Sequence, residues 1–556
     1  MQDRVPPTDS SSSLHPRAAP EAGAPARRIL VCIYSWYYFR HISPALETLA
    51  QQGHRLHVVA IKHDRVDFRT GMEELCARYP RVSFQVGPER QDDWIGWAQV
   101  IRLTQSYLQS KDARFDQACR NADAKRLRGR YPTFLDSAPF RSAPGREFTW
   151  RSLRRLNDAL PTDATIDAVF ESFRPDVMLI TPLIDREGMM WDFMASAQKA
   201  GVRSVFPVHS WDNLSSKARI NIFPDRVLVW NETQRDEAVR FHHVPQERIA
   251  VTGAQGFDDW FEMQPSMSRD AFCASLGFDP DCPILLFVCS AMLKRHMAHA
   301  IATDKTEMPF FTRWIAALRA APDPRLREAN VIVRPHPKRE DHWDDVNLRE
   351  FGRVVVHPRH GRLPNNPESK TVFFDSLYHA EAVIGLNTSA MIEAGIVGRP
   401  VMTVLEPDYR AGQVEMQHFQ YLLKVAGGLL IAAKDYDEHV QQLSAQLENA
   451  EDGRRRAREF TRAFVRPRGM ALSAAPLVAE VVVETAALGP AEPRTSGFVD
   501  RVLRRLLTAL EGARTAHLNS NRPRSRGWMS KSVMSTPADR RLRQEKRKKE
   551  EAGSPP

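Results

Sequence analysis

Short apolar runs of β type alternate with amphipathic helical stretches along most of this chain. Arg28–Ile33 (RILVCI) reads as a strand, Pro44–Gln52 as a helix closed by Gly53, and Leu56–Ile61 as a second strand. That is a β-α-β unit with short connections, the signature of a parallel sheet. The pattern recurs at Asp176–Thr181 (strand), Arg186–Ala200 (helix, stopped by Gly201) and Arg203–Pro207 (strand). Arg226–Trp230 and Ile249–Thr252 read as further strands around a helix from Thr233 to His242. The stretch Trp94–Leu160, rich in Arg, Gln and Trp, reads as helices and loops inserted in this first series.

A second series follows Ser268–Leu276. Strands are expected at Pro283–Cys289, Asn330–Arg334, Arg353–His357, Ala382–Gly385 and Val401–Val404. Between them lie a helix at Phe310–Ala321, a helical turn at Phe374–His379 and a helix at Ser389–Val397. Two such runs predict an α/β protein of two Rossmann-like, doubly wound domains facing across a cleft. The expected divisions are a disordered segment at 1–27, a first domain at 28–265, a second at 266–488 with a helical end at Pro476–Ala486, and an appendage at 489–556. In the appendage, Phe498–Leu510 puts Phe498, Val499, Val502, Leu503, Leu506, Leu507 and Leu510 on one helical face, with Arg501, Arg504 and Arg505 opposite. Docking on the protein's own body and contact with a membrane surface are both open to such a helix.

Composition narrows the class. Of 556 residues, 42 % are apolar and 26 % charged, as in ordinary globular chains. The longest apolar run, Pro283 to Leu293, is far short of the roughly 18–20 residues that span a bilayer, and no apolar signal region follows Met1. A cytoplasmic protein is therefore expected, peripheral at the inner face of the membrane if the appendage binds lipid. The six cysteines form no C-x-x-C pair, which suits a reducing compartment and gives no zinc pattern. Net charge is +10, yet residues 513–556 alone hold twelve basic and four acidic residues. The basicity belongs to a tail expected to be disordered, and the body is nearly neutral, so nucleic acid is not the expected partner.

Candidate chemistry sits where strands end. After Ala382–Gly385 come Asn387, Thr388 and Ser389, which can cap the next helix or meet an anion, and Glu393, whose carboxylate can accept two ribose hydroxyls. Asn330–Arg334 runs into Arg-Pro-His-Pro-Lys, where two prolines aim Arg334, His336 and Lys338 at a phosphate. Ser290 and Lys294 follow the strand Pro283–Cys289 as further diphosphate contacts. In the first series, His41 stands just before the helix that begins at Pro44, placed to act as a base. His209 and Asp212 belong to a loop, HSWDNLSSK, unusually dense in polar groups. No Asp-x-Asp follows the carboxyl end of a strand read from the sequence, so neither a metal nor a cofactor is expected.

The phrase HISPALETLAQQGHRLHVVAI resembles the opening of GT-B glycosyltransferases, and LNTSAMIEAGIVGRPVMTV resembles their donor-site helix. NETQRDEAVRFHHVPQERIAVTGAQGFDDW looks like a stretch shared by UDP-GlcNAc 2-epimerases and capsule or teichoic-acid transferases. The Arg-Pro-His-Pro motif and FVRPRG (Phe464–Gly469) are similar to bacterial surface-polysaccharide transferases, including the CDP-glycerol glycerophosphotransferase-like group. The resemblance spans roughly residues 28–480. It implies a metal-independent glycosyltransferase that moves a sugar from a nucleotide-sugar donor to a cell-envelope or capsule glycan, or to a lipid-linked acceptor. It further implies His41 as acceptor-side base, Asn387, Thr388 and Ser389 at the diphosphate, and Glu393 at the ribose. The alternatives are a polyol-phosphate transferase, a non-hydrolysing sugar-nucleotide epimerase and a non-catalytic binding protein of the same fold. Two positions depart from the pattern: bulky WYYFR stands where the peptidoglycan transferase has a Gly-rich loop, and Glu393 is followed by Ala394 rather than by a second Glu.

Overall fold

The computed structural model describes residues 25–62, 69–115, 136–137, 140, 142–185, 188–290, 307–337, 340–344, 346–359 and 366–520. The expectations for the tails at 1–24 and 521–556, and for Lys294 and Lys338, lie outside the described residues.

Seven strands form the first sheet: β1 (Arg28–Ser35), β2 (Arg55–Lys62), β3 (Val82–Val86), β4 (Val177–Thr181), β5 (Arg203–Pro207), β6 (Arg226–Val229) and β7 (Ile249–Val251). Six form the second: β8 (Ile284–Val288), β9 (Asn330–Arg334), β10 (Val354–Val356), β11 (Ala382–Gly385), β12 (Val401–Val404) and β13 (Leu430–Ala433). The orders are β3-β2-β1-β4-β5-β6-β7 and β10-β9-β8-β11-β12-β13, with every pair parallel. The second sheet therefore repeats the winding of the first. Each reverses direction once, between β1 and β4 and between β8 and β11. Such a reversal opens a crevice beyond the carboxyl ends of the strands, where ligands of this architecture sit.

The central strands are mostly apolar because both faces are covered. In β1, Leu30 and Cys32 pack into one core while Ile29, Val31 and Ile33 pack into the other. The second of these cores also receives Val478, Ala479 and Val482 from the helix Ala474–Ala487. After completing the second sheet, the chain thus returns to cover the first.

Several elements differ from the sequence reading. The first helix is Phe39–Gln51, with Pro44 inside it, so His41 lies in its opening turn rather than ahead of it. The turn at Phe374–His379 is the end of a helix, Pro367–His379, started by a capping box in which Ser369 N–H donates to the Asn366 side chain at 2.8 Å. β3 and β13 were not expected. The insertion contains two long helices, Ile95–Ser110 and Ala143–Ala159. The appendage helix runs Phe498–Ser520, beyond the predicted Leu510. It is docked by only part of its apolar face: Leu507 packs with Ala98, Ile101 and Leu160, while Phe498, Val499, Val502, Leu506 and Leu510 are exposed.

Candidate functional site in the cleft

A cavity of about 350 Å³ opens between the two sheets, within the range of about 300–1,000 Å³ usual for small-molecule sites. The first sheet contributes Arg40 and His41 from the helix after β1, and His209, Ser210 and Trp211 from the loop after β5. The second contributes Ser389 and Glu393 from the turn and helix after β11, and Lys370 from Pro367–His379. Lys370 reaches Asp259 at 2.7 Å across the same space. Four of the residues predicted from the sequence, His41, His209, Ser389 and Glu393, therefore meet in one cavity.

The two imidazoles are neighbours, with ring centroids 5.4 Å apart, and Tyr38 stands edge-on to His209 at 4.8 Å. Burial, then Arg40 and His209, hold His41 well below the usual imidazole range. Burial drives His209 down to about 3, against the pull of the Asp212 carboxylate. Both rings are neutral at pH 7, the state a proton acceptor requires. Their accepting atoms differ. Arg40 Nε donates to His41 Nε2 at 3.2 Å, while Arg40 Nη2 donates to the Tyr37 hydroxyl at 2.8 Å. Neutral His41 in this bond carries its hydrogen on Nδ1, so Arg40 must release Nε2 before His41 can take a proton. His209 Nδ1 is buried and makes no hydrogen bond within the described residues.

Asp212 is not on the cavity wall. It accepts from Ser210 Oγ at 2.7 Å and Ser216 Oγ at 3.0 Å, and it pairs with Lys217 at 3.2 Å. Burial alone would lift its carboxyl, but Lys217, His418 and the Ser210 hydroxyl outweigh this and hold it well below the carboxylate range. It is a fixed negative charge beside the histidines.

On the opposite wall, burial lifts the Glu393 carboxyl to about 7, against Arg40, Arg334 and Lys370. Arg334 ends β9, only 7 % exposed, with its guanidinium 4.0 Å over the Phe373 ring. Burial brings it down to about 10, opposed by Glu393. Arg334, expected from the sequence to face a phosphate, is not among the residues lining the cavity, and its charge is felt by Glu393. His336 follows Arg334, half-buried. Ser290 is enclosed: its N–H and Oγ both donate to Glu307, Oγ at 2.8 Å. Asn387 donates to the Gly412 carbonyl at 2.7 Å and approaches His418 Nε2 at 3.3 Å, leaving its Oδ1 buried without a partner among the described residues. Thr388 beside it is half-buried. Ser389 makes no side-chain cap to the helix Ala390–Ile396; its hydroxyl accepts instead from Trp211 Nε1 at 3.1 Å.

The sequence reading gave no part to Arg40, Lys370 or Glu307. Lys370 was recoverable, since Asn366-Pro367-x-Ser369 is a helix start that would have placed it one turn in. Nothing in the sequence pairs Glu307 with Ser290.

No family model matches the chain, and no curated protein does. Solved structures similar to it include a glycosyltransferase from Rickettsia africae (9 % identity, TM-score 0.42, covering 87 % of this chain and 97 % of that one). The Anabaena protein HepE, solved with UDP and glucose, has 11 % identity and a TM-score of 0.44, covering 83 % of this chain and 99 % of its own. The UDP-GlcNAc 2-epimerase of Neisseria meningitidis, bound to UDP-GlcNAc, has 10 % identity and a TM-score of 0.44, covering 83 % and 100 %. The likeness is one of fold alone. Two parallel, doubly wound sheets of seven and six strands with a cleft between them make this an α/β chain of GT-B-like fold.

Proposed function

We propose that the protein is a glycosyltransferase that moves a sugar from a nucleotide-sugar donor to a cell-envelope or capsule glycan, or to a lipid-linked precursor of one. The observation that carries this reading is the pairing, in one cavity, of two neutral imidazoles on the first sheet with Glu393 on the second. An acceptor hydroxyl on the histidine side attacks the anomeric carbon. Its proton passes to His209, or to His41 once Arg40 has let go, while the bond from the anomeric carbon to the diphosphate oxygen breaks. Glu393 holds the donor ribose. Lys370 and Arg40 supply positive charge on the cavity wall toward the leaving diphosphate, without a metal. Arg40, then Arg334 and Lys370, oppose the burial of Glu393 and favour its ionised form.

The test is calorimetry against a panel of nucleotide sugars, then turnover of the one that binds. Release of nucleoside diphosphate only when a glycan or lipid-linked acceptor is added supports the transferase. Release of the 2-epimer without acceptor points to an epimerase, turnover of a CDP-polyol to a polyol-phosphate transferase, and binding without turnover to a silent binding protein.

A further inference from the structure

We propose that the outward row of the helix Phe498–Ser520 rests on the surface of an anionic lipid bilayer. The helix presents two separate faces. At about 100° per residue, Leu507, Asp500 and Arg504 fall within about 60° of one another. This side holds the helix to the body: Asp500 pairs with Arg155 at 3.3 Å, Arg504 donates to the Ala159 carbonyl, and Leu507 is 4 % exposed among Ala98, Ile101 and Leu160. Phe498, Val499, Val502, Leu506 and Leu510 occupy another arc, about 120° wide, along about 18 Å of helix. Their exposures are 73, 49, 38, 55 and 58 %. These five are nearly half of the large apolar side chains exposed among the described residues, and they lie on one element. Because the other face is already docked, the chain's own body is not what this row waits for.

Charge selects the occupant. Exposed Arg501 and Arg505 border the row on the side away from Leu507, and residues 513–556 add a net +8 by sequence. A second copy would set these cations against their like. Nucleic acid would answer the charge but leave the apolar row in water. An anionic bilayer answers both: its headgroups attract the arginines and its acyl boundary takes up the apolar stripe of a helix lying in the interface plane. No helix among the described residues is long and apolar enough to cross a membrane, so this is attachment at the surface. The inference stands on the helix alone, independently of the chemistry assigned to the cleft.

Co-sedimentation of the full chain with phosphatidylcholine vesicles, with and without phosphatidylglycerol, tests it. The expected result is binding to the anionic vesicles that weakens as salt rises. A triple variant, Val502→Ser, Leu506→Ser and Leu510→Ser, changes only exposed positions, so its melting temperature should match the wild type while its vesicle affinity falls about tenfold or more. Absence of binding at low salt overturns the proposal. So does a triple variant that binds as tightly as the wild type, since charge alone would then suffice. Self-association that the triple variant abolishes, without vesicle binding, assigns the row to a second copy. Preference for duplex DNA or RNA over anionic vesicles at matched salt assigns the basic end to nucleic acid.

Discussion

Trp211 on the first sheet donates its indole N–H to the hydroxyl of Ser389 on the second, 3.1 Å away. The same indole stands edge-on to His418 at 4.8 Å, and His418 lies within 3.3 Å of Asn387. The Trp211–Ser389 bond ties the two walls of the cleft together. Trp211→Phe keeps an aromatic edge for His418 and removes the hydrogen bond. It should cost about 0.5–1.5 kcal/mol in a denaturant titration. If closure of the cleft is part of donor binding, nucleotide affinity should fall as well. An unchanged denaturation midpoint would mean the bond contributes nothing to holding the walls.

Glu393 makes two measurable claims. If it binds the ribose, Glu393→Ala should weaken nucleotide binding about tenfold or more, because a charged hydrogen bond is worth about 1.5–3 kcal/mol. Calorimetry on the folded variant decides. Its raised carboxyl also links to stability. The native state holds this proton more tightly than the unfolded chain, so stability should be greatest below the ordinary value of 4.5 and fall as pH rises toward about 7. Glu307, lifted to about 7 by burial against its bonds from Ser290, adds a second decline of the same sign. Glu393→Gln should remove one of the two and leave the other, as read from denaturation midpoints on either side of this window.

The histidines predict a pH profile without the usual imidazole limb. His209 titrates near 3, and His41 well below its ordinary value, so the base stays neutral throughout the neutral range. Once a donor and acceptor are known, kcat at saturating donor should show no imidazole limb near 6.5, whereas kcat/KM should fall below about 7 as the ribose-binding Glu393 carboxylate takes a proton. Replacing the base with Asn should lower turnover about a hundredfold or more. His209→Asn and His41→Asn, compared at saturating donor, identify which ring takes the proton. Arg40→Ala should raise the pKa of His41, followed by NMR, because it removes the cation that depresses it.

Where the chain passes between domains, Gly253 adopts a φ of +93°, and an added Cβ would meet the Val465 carbonyl at 3.1 Å and Ala474 Cβ at 3.0 Å. Gly253→Ala should cost about 1–3 kcal/mol or more, since it combines left-handed strain with overpacking. Beside it, Asp258 accepts from the N–H groups of Ala474 and Ala475 at 3.0 and 2.7 Å and from Arg466 at 3.1 Å. Asp258→Ala leaves that arginine buried without its carboxylate and should cost about 3–5 kcal/mol. Thermal melts and denaturant titrations read both.

The strands were the legible part of the fold. Arg203–Pro207, Asn330–Arg334, Ala382–Gly385 and Val401–Val404 have the limits read from the sequence. Each is a compact run, mostly apolar. Val82–Val86 was missed because Ser83 and Gln85 interrupt it, and an edge strand need not be apolar on both faces. Leu430–Ala433 is an edge strand that ends in two alanines, residues depleted in strands, and so was not read as one. The start of the first helix was misplaced because Pro44 looked like a first-turn proline, whereas the aromatic run ahead of it already turns. In the cleft, strand ends pointed to His41, His209 and Glu393. They could not show that the Arg334 guanidinium lies over the Phe373 ring or that Ser290 turns inward to Glu307. Those directions depend on residues 39 and 17 positions away, and local sequence does not encode such distances.

The two passages of chain between the domains touch: Ala254 N–H donates to the Val465 carbonyl at 2.9 Å, beside the Asp258–Arg466 pair. A molecule joined at two distant points would turn about the line through them. Joined at two adjacent points, it has a single pivot. A rotation of one sheet against the other would therefore leave Gly253 and Ala474 nearly still and displace most the parts of the cleft farthest from them. Any such rotation would change the mouth of the cavity more than the part beside this crossing, so the width of the cleft would be set by an angle rather than by a separation.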